Sequence, residues 1–206
     1  MQKLDEKSCE LLDVKSQMQT LFKIDENSGR AQGIKFVASP NCDSREAGVL
    51  PELIVVHGIS LPPNQFGGEA INQLFTNQLD PKADPYFEKI KEMKVSAHAL
   101  IRRDGEVIQY VPFHDRAWHA GLSEFNGRSR CNDFSIGIEM EGSDQTCYTA
   151  YQYAALAQLV KSLWVAYPSL KRHQVVGHNE IAPGRKTDPG PYFQWDALNR
   201  LLEKNS

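Results

Sequence analysis

An imidazole, an ammonium group and a carboxylate lie close together in one stretch near the end of the chain. His178 ends the apolar run VVGH, and Lys186 and Asp188 follow in the Pro- and Gly-rich loop NEIAPGRKTDPGP. Imidazoles and carboxylates are zinc ligands, but Asp-Pro and Pro-Gly are also ordinary turn dipeptides. These residues alone leave a metal site and a plain polar loop open as alternatives.

A second imidazole, His57, ends the apolar, β-branched run ELIVVHG, and HQVVGH forms a similar run that ends at His178. Short apolar runs of this kind are typical of strands that are buried on both faces. If the two strands are neighbours and parallel, their imidazoles meet at one end of a sheet, where ligand sites are frequent.

The third donor of such a site would be Asp188. Pro189 disfavours the helical conformation at Asp188 and favours an extended one, which would aim Lys186 and Asp188 at the same place. Two histidines and one aspartate would leave zinc a fourth position for water, as a catalytic site requires.

The stretch FSIGIEMEG predicts a strand with two carboxylates on one face. Apolar residues alternate strictly with Gly137, Glu139 and Glu141, and alternate residues of a strand point to opposite faces. Either glutamate could act as a general base on that face, and the alternation does not choose between them.

Further patterns predict the elements that must position these residues. Asp104-Gly105 between two strand-like runs predicts a β-hairpin, and Thr149 with Gln152 predicts a capping box at the start of a helix. The remaining predicted helices are two short ones over residues 70–79 and 85–93 and a terminal one over QWDALNRLL. Neither repeats nor a convincing internal boundary interrupt the chain.

Length and composition favour one soluble domain with a modest extension. The 206 residues are 41% hydrophobic, and 23 basic against 26 acidic side chains leave a formal charge of −3. No basic stripe with interleaved aromatics predicts nucleic-acid binding. No run approaches the ~20 apolar residues of a membrane span, and the N-terminus lacks the apolar region of a signal peptide.

The cysteines lie far apart and form no CxxC pair, so a cysteine-based zinc site or a dense disulfide framework is not expected. They are Cys9, Cys42, Cys131 and Cys147. We expect reduced thiols and a cytoplasmic location. Residues 1–33 are predicted to form an N-terminal extension of uncertain structure, before a domain over residues 34–206.

From about residue 38 to residue 202 the chain resembles the zinc N-acetylmuramoyl-L-alanine amidases, in particular the AmpD-type 1,6-anhydro-N-acetylmuramyl-L-alanine amidases. The stretches that carry the resemblance are VVHGISLPP, FGG, VSAHALIRRDGEVIQYVPF, RAWHAG, RCNDFSIGIEMEG, GHNEIAP and RKTDPGP. The resemblance implies a single α/β domain, with a central mixed β-sheet flanked by helices and zinc at one end of the sheet. It also implies hydrolysis of the amide between the lactyl group of muramic acid and L-alanine during cell-wall recycling.

The resemblance assigns roles to the candidate residues. His57, His178 and Asp188 match the zinc ligands, Glu139 matches the catalytic carboxylate, and Lys186 matches the cation beside the scissile carbonyl. A small glycopeptide, the anhydro-muropeptide, would be the substrate, with neither nucleic acid nor membrane as a partner, and we expect a monomer.

The resemblance also places muropeptide contacts at Trp118, Arg130 and Ala182, although packing in the core is an alternative for Trp118. Lys94 stands where close relatives often carry Arg, and loses the planar fork that binds a carboxylate in a bidentate way. Gly58 stands where they often carry Asn, so one substrate contact is absent or replaced.

Two other functions remain open at this point: an amidase that acts on intact peptidoglycan, and a non-catalytic peptidoglycan-binding module. The first would require export, and the second is disfavoured by the joint presence of the candidate ligands and catalytic residues. Among the other histidines, His98 is expected to be a satisfied buried residue or to support the site, and His119 could line the cleft.

Overall fold

A six-stranded mixed sheet forms the centre of the structure, a computed structural model that describes residues 21–203. Four neighbouring strands are parallel, while the last two run the opposite way, because a hairpin reverses the chain. Across the sheet the strands are Val175–Gly177 (β12), Leu53–Ile59 (β5), Ser135–Glu141 (β11), Ala99–Ile101 (β6), Val107–Gln109 (β7) and Lys35–Phe36 (β3). The predicted mixed sheet and the Asp104-Gly105 hairpin are confirmed.

Short strands form three further antiparallel pairs outside the main sheet. They are Ile24–Asp25 (β1) with Arg30–Ala31 (β2), Cys42–Asp43 (β4) with Arg116–Ala117 (β8), and Glu124–Phe125 (β9) with Arg128–Ser129 (β10). A 3₁₀ helix, Cys131–Asp133, leads directly into β11. Of these short strands, β8 contacts β11, β9 contacts α4, and β1 contacts α3.

The helices pack against both faces of the sheet. One face, with Ile54, Ile136 and Ile138, packs against the two long helices, and the other face, with Leu100, packs against two short ones. The helices are Ala70–Phe75 (α1), Pro85–Ile90 (α2), Ala150–Ala166 (α3), His178–Ile181 (α4) and Trp195–Glu203 (α5). Both short helices end earlier than predicted; after α1 the chain turns at Asn77, which has a positive φ of 59°.

The predicted capping box starts α3. Thr149 Oγ1 accepts a hydrogen bond from the backbone N–H of Gln152, and the Gln152 side chain accepts one from the backbone N–H of Thr149. The same Thr149 hydroxyl donates to the carbonyl of Arg103. The cap therefore joins α3 to the β6–β7 hairpin as well as satisfying its first turn.

The described part of the N-terminal extension packs on the main core. Ile24 and Ala31 are buried in the cluster that contains α3, and the backbone N–H of Ala31 donates to the buried side chain of Gln109. Residues 21–33 thus share a core with the amidase-like part of the chain, while residues 1–20 lie outside the described residues. The boundary at residue 33 stays a prediction.

The prediction of four reduced thiols is wrong for Cys147, which is disulfide-bonded. Cys42 and Cys131 are free, and Cys9 lies outside the described residues. The spacing of cysteines along a sequence does not show which residues approach each other in the fold, which explains the error. Within residues 21–203, no helix is both long enough and apolar enough to cross a bilayer.

Candidate metal centre and active site

Two neighbouring parallel strands bring the predicted imidazoles together. In the pairing of β12 with β5, Gly177 lies opposite Val56, and His178 and His57 are the next residues along the chain. Their Nδ1 atoms are 2.9 Å apart. The predicted convergence of the two strand ends is therefore confirmed.

The carboxylate of Asp188 completes the group. Its Oδ2 atom lies 3.0 Å from Nδ1 of His178 and 3.3 Å from Nδ1 of His57. The three atoms could together hold a metal ion. Burial alone would raise the pKa of Asp188, but its closeness to the two imidazoles outweighs this effect and holds the pKa well below its usual range.

Asp188 reaches the imidazoles from a turn that also contains Pro189. The Asp188–Pro189 peptide bond is cis, and the backbone carbonyl of Asp188 accepts a hydrogen bond from the N–H of Asn179 on α4. The backbone N–H of Gly58 lies 3.4 Å from Oδ2 of Asp188. Groups next to both imidazoles thus hold the turn and its carboxylate in place.

The positions of the protons on His57 and His178 leave lone pairs, together with the carboxylate of Asp188, directed at one point, which favours a cation there. Nε2 of His178 lies 3.2 Å from the carbonyl oxygen of Ala120 and 3.4 Å from Nη2 of Arg185, which itself donates to that carbonyl at 2.6 Å. The shorter contact, to an oxygen that only accepts, favours a proton on this nitrogen. A neutral His178 then turns a bare lone pair toward the carboxylate of Asp188. Burial lowers the pKa of His57 to about 4, so His57 is neutral at pH 7. A metal ion would satisfy the ring nitrogens and the carboxylate oxygen that meet here, and nitrogen and carboxylate ligands suit zinc.

Glu139 lies next to this group on the adjacent strand. In the pairing of β11 with β5 it is the direct partner of His57, and it is only 9% exposed. Among the described residues, none makes a hydrogen bond to its Oε2 atom. Burial and the charge of Asp188 raise its pKa well above the usual value, against the opposing charge of Lys186. Glu139 thus has an oxygen available to accept a proton.

Glu141, the alternative base, is fully engaged in structural contacts. Its Oε1 accepts hydrogen bonds from the N–H of Gly67 at 2.7 Å and from Nη1 of Arg102 at 3.0 Å, and its Oε2 accepts one from the N–H of Arg103 at 3.1 Å. These bonds tie the FGG loop to the β6–β7 hairpin. The structure therefore separates the two glutamates that the sequence pattern left equivalent.

Comparison with known proteins gives the family. The model of the family described as N-acetylmuramoyl-L-alanine amidase matches residues 47–191. The chain belongs to this family. The Escherichia coli K12 protein named 1,6-anhydro-N-acetylmuramyl-L-alanine amidase AmpD is 53% identical over 174 residues, which cover 84% of this chain and 94% of that protein.

Solved structures agree with this result. A crystal structure of a selenomethionine AmpD derivative matches with a TM-score of 0.83 and 52% identity, over 85% of this chain and 97% of that one. The E. coli amidase AmiD, solved with the substrate anhydro-N-acetylmuramic acid-L-Ala-D-γ-Glu-L-Lys, matches with a TM-score of 0.53 and 28% identity, over 84% of this chain and 60% of that one.

The other predicted site residues of this amidase differ in their exposure and in their contacts with the metal group. Lys186 is exposed, and its charge lowers the pKa values of His57 and Glu139, so it lies within electrostatic reach of both. Ala182 is buried at the end of α4, where its N–H donates to the carbonyl of His178.

The three remaining candidates are exposed or half-buried. Arg130 is exposed, with φ at 63°, and its guanidinium forms an ion pair with Asp133 at 3.0 Å. Trp118 is half-buried, and Lys94 is exposed. Half-burial is compatible with both sugar stacking and core packing for Trp118. The substrate contacts of all three residues stay predictions.

Gly58 stands where close relatives often carry Asn, and Tyr148 occupies the space that a side chain at this position would need. The sequence did not indicate this role of Tyr148. A Cβ atom at residue 58 would lie 2.5 Å from the Tyr148 hydroxyl, and that hydroxyl donates to the carbonyl of Pro189 at 2.9 Å. A larger residue at position 58 would therefore displace Tyr148 from the turn that carries Asp188.

Sequence reasoning also missed Asn132 and Ser135 and left His119 undecided. Oδ1 of Asn132 accepts hydrogen bonds from the backbone N–H groups of His119 at 3.1 Å and Ala120 at 2.7 Å. These two residues contact the second ring nitrogens of His57 and His178. His98 is a satisfied buried histidine: its Nδ1 accepts from the N–H of Gly137, and its Nε2 donates to the carbonyl of Asp115.

We predict that Glu139→Gln makes the metal-free amidase progressively more stable than the wild type as the pH rises from about 4 to 8. The folded state raises the pKa of Glu139, so the unfolded chain ionises first, and the stability of the wild type falls as the pH rises above about 4.3. Glutamine does not ionise and avoids this loss. Urea unfolding at a series of pH values measures the difference.

Glu141→Gln is the matched control from the same strand face. It breaks the buried pair with Arg102 and should lower the free energy of unfolding by about 3 kcal/mol, on the scale of a buried pair that loses one partner. A pH-independent difference between Glu139→Gln and the wild type would contradict the raised pKa of Glu139.

Proposed function

We propose that this chain is a zinc-dependent amidase that hydrolyses the bond between the lactyl group of 1,6-anhydro-N-acetylmuramic acid and L-alanine in free muropeptides. The observation that carries the proposal is the convergence of His57, His178 and Asp188 beside the carboxylate of Glu139, whose Oε2 has no partner among the described residues. The substrate class is supported by the AmpD relatives and by the substrate in the AmiD structure.

The donor set determines where the metal is held and what it supplies. His57 and His178 would each bind zinc through Nδ1, and Asp188 through Oδ2. A zinc ion bound by three protein ligands acidifies water to a pKa near 7 and polarises a carbonyl group. The neutral imidazole of His57 and the lowered pKa of the Asp188 carboxyl suit such ligands, which bind a metal in their deprotonated forms.

Glu139 carries the proton during hydrolysis. The oxygen of the attacking water forms a bond to the lactyl carbonyl carbon, and Glu139 accepts the proton that the water loses. When the carbon–nitrogen bond breaks, Glu139 returns this proton to the amino group of L-alanine. Its raised pKa brings it nearer to neutral pH, where one group serves best as both base and acid, a role that contributes roughly 10²–10⁴-fold to the rate.

Lys186 offsets the negative charge that develops on the carbonyl oxygen. Its electrostatic effect on His57 and Glu139 supports a place beside the reacting atoms, whereas no metal ligand can be an ammonium group. Trp118, Arg130, Ala182 and Lys94 would contact the sugar and the stem peptide around this centre. A small soluble muropeptide as substrate would place the enzyme in the cytoplasm, a compartment in which the disulfide at Cys147 would be unusual.

The substrate is tested by mass spectrometry of products from two sources, purified anhydro-muropeptides and intact sacculi, each with and without chelator. We expect chelator-sensitive release of the peptide from anhydro-muropeptides and little release from sacculi. Equal rates on both substrates would favour an amidase of intact peptidoglycan. An absence of release from either would contradict an amidase function.

We predict that replacing His57, His178 or Asp188 by alanine removes stoichiometric zinc from the purified protein, because each supplies one of three ligands. Metal analysis by mass spectrometry measures the zinc content per chain. His114→Ala is a suitable control, since His114 is half-buried against Gly29 and its contact with Asp115 is long, at 3.9 Å. A ligand variant that keeps one zinc per chain would remove that residue from the proposed set.

We predict that Lys186→Ala keeps zinc and fold but lowers kcat and kcat/KM together by about 10²–10³-fold, the usual cost of losing one donor to a developing oxyanion. Removing a cation from the vicinity of a metal ion does not weaken the binding of that ion. Steady-state kinetics at saturating zinc measures the effect. A raised KM with an unchanged kcat would make Lys186 a ground-state substrate contact.

A further inference from the structure

The two imidazoles of the metal group are held from behind by two consecutive residues. Nε2 of His57 lies 2.9 Å from Nδ1 of His119, and Nε2 of His178 lies 3.2 Å from the carbonyl oxygen of Ala120. Asn132 fixes this segment through its hydrogen bonds to both backbone N–H groups. One short segment therefore contacts the second nitrogen of each candidate ligand.

The direction of each hydrogen bond at His119 follows from a single hydroxyl group. Oγ of Ser135 lies 2.5 Å from the carbonyl oxygen of Cys131, and because the carbonyl can only accept, the one proton of Ser135 points there. Toward His119, 3.2 Å away at Nε2, the Ser135 oxygen is therefore an acceptor. His119 carries its proton on Nε2 and presents a lone pair at Nδ1.

This lone pair sets the proton position on His57. The Nδ1 atom of neutral His119 accepts a hydrogen bond, so Nε2 of His57 must donate it, and a neutral His57 is left with an unprotonated Nδ1. That nitrogen is the one that faces His178 and Asp188. In this series of hydrogen bonds, His57 donates to His119 and His119 donates to Ser135.

We propose that His119 is a positioning residue that holds His57 in the tautomer with its proton on Nε2, so that Nδ1 is ready to bind the metal. The inference rests on the proposed zinc site, but it concerns a residue outside the three candidate ligands. Second partners of this kind orient ligand histidines, and their loss typically lowers metal affinity about 10–100-fold.

The packing around His119 supports a specific position for its ring. A Cβ atom at Gly137 would lie 2.4 Å from the nearest atom of the His119 imidazole, so only glycine at this point of β11 leaves room for the ring. The rings of His57 and His119 meet edge to face, with centroids 5.0 Å apart. The imidazole is therefore seated against the strand, with both nitrogens engaged.

The test compares His119→Leu with His119→Asn. Leucine fills the space but offers no acceptor, whereas the Oδ1 atom of asparagine can take the place of Nδ1 and accept from His57. In metal-free protein, nitrogen-15 NMR of the imidazoles reports the proton position directly. We expect His57 protonated on Nε2 in the wild type and in His119→Asn, and a mixture of tautomers in His119→Leu.

Zinc affinity, measured by competition with a chromogenic chelator, gives the second readout. We expect His119→Leu to bind zinc about 10–100-fold more weakly, with His119→Asn recovering most of the loss. Equal losses in the two variants would show that His119 acts only by packing. Unchanged zinc affinity and an unchanged tautomer in His119→Leu would overturn the proposal.

A second pair of variants tests the proposal without changing residue 119, in case substitutions there unfold the protein. Ser135→Ala removes the acceptor that orders His119, and should release the His57 tautomer and weaken zinc binding. Ser169→Ala is the control, because Ser169 also donates to a backbone carbonyl, that of Pro51, away from the metal group. Equal zinc affinity in these two variants would contradict the role assigned to Ser135.

The readouts separate this inference from the proposed function. If the wild type bound no zinc, the proposed function would fail, while the NMR spectrum of the metal-free protein would still report whether His119 controls the tautomer of His57. If zinc and activity were present but the tautomer did not respond to residue 119, only the role of His119 would fail.

Discussion

The parallel pairing of β5 with both of its neighbours is the constraint on which the site depends. On one side it places Glu139 directly opposite His57, and on the other it places Gly177 opposite Val56, so that His178 follows at the same level. Parallel strands end at the same edge of a sheet, which turns three separate sequence positions into one row. A slip of one residue in either pairing would move a side chain of this row to the opposite face.

The two buried glutamates of β11 differ in how their oxygens are hydrogen-bonded. Glu139 is buried without a hydrogen-bond partner at Oε2 among the described residues, which is unfavourable for a carboxylate. Glu141, two residues along, has both of its oxygens satisfied by Gly67, Arg102 and Arg103. The same strand face thus carries one carboxylate that stabilises the loops and one that keeps an oxygen available for chemistry.

Local patterns in the sequence predicted the parts of the site that such patterns determine. Apolar runs ending in His57 and His178 predicted the two strands, and alternation placed Glu139 and Glu141 on one face. The pattern did not separate the glutamates, because the difference depends on Arg102 and on the FGG loop, which reach Glu141 only in the folded chain. The partners of the turn at Asp188, the N–H groups of Asn179 and Gly58, were not predicted, because a following proline restricts the conformation of a residue but does not specify its long-range contacts.

The layer behind the ligands has no comparable signal in the sequence. Ser135, Asn132 and Tyr148 are ordinary polar residues there, and their roles arise from long-range contacts. Their positions depend on side chains that the strands lack: a Cβ atom at Gly58 or Gly142 would lie within 2.5 Å of Tyr148, and one at Gly137 would lie 2.4 Å from His119.

Glycines in β5, in β11 and just after β11 therefore make room for the side chains that support the metal group. Tyr148 occupies the space beside Gly58 and Gly142 and binds the carbonyl of Pro189, next to Asp188. His119 occupies the space at Gly137 and binds His57. Because strands place side chains on a fixed alternation, a missing side chain is the simplest way to admit a ring from another element. The glycines that look least informative in the sequence thus determine how closely the supporting residues approach the site.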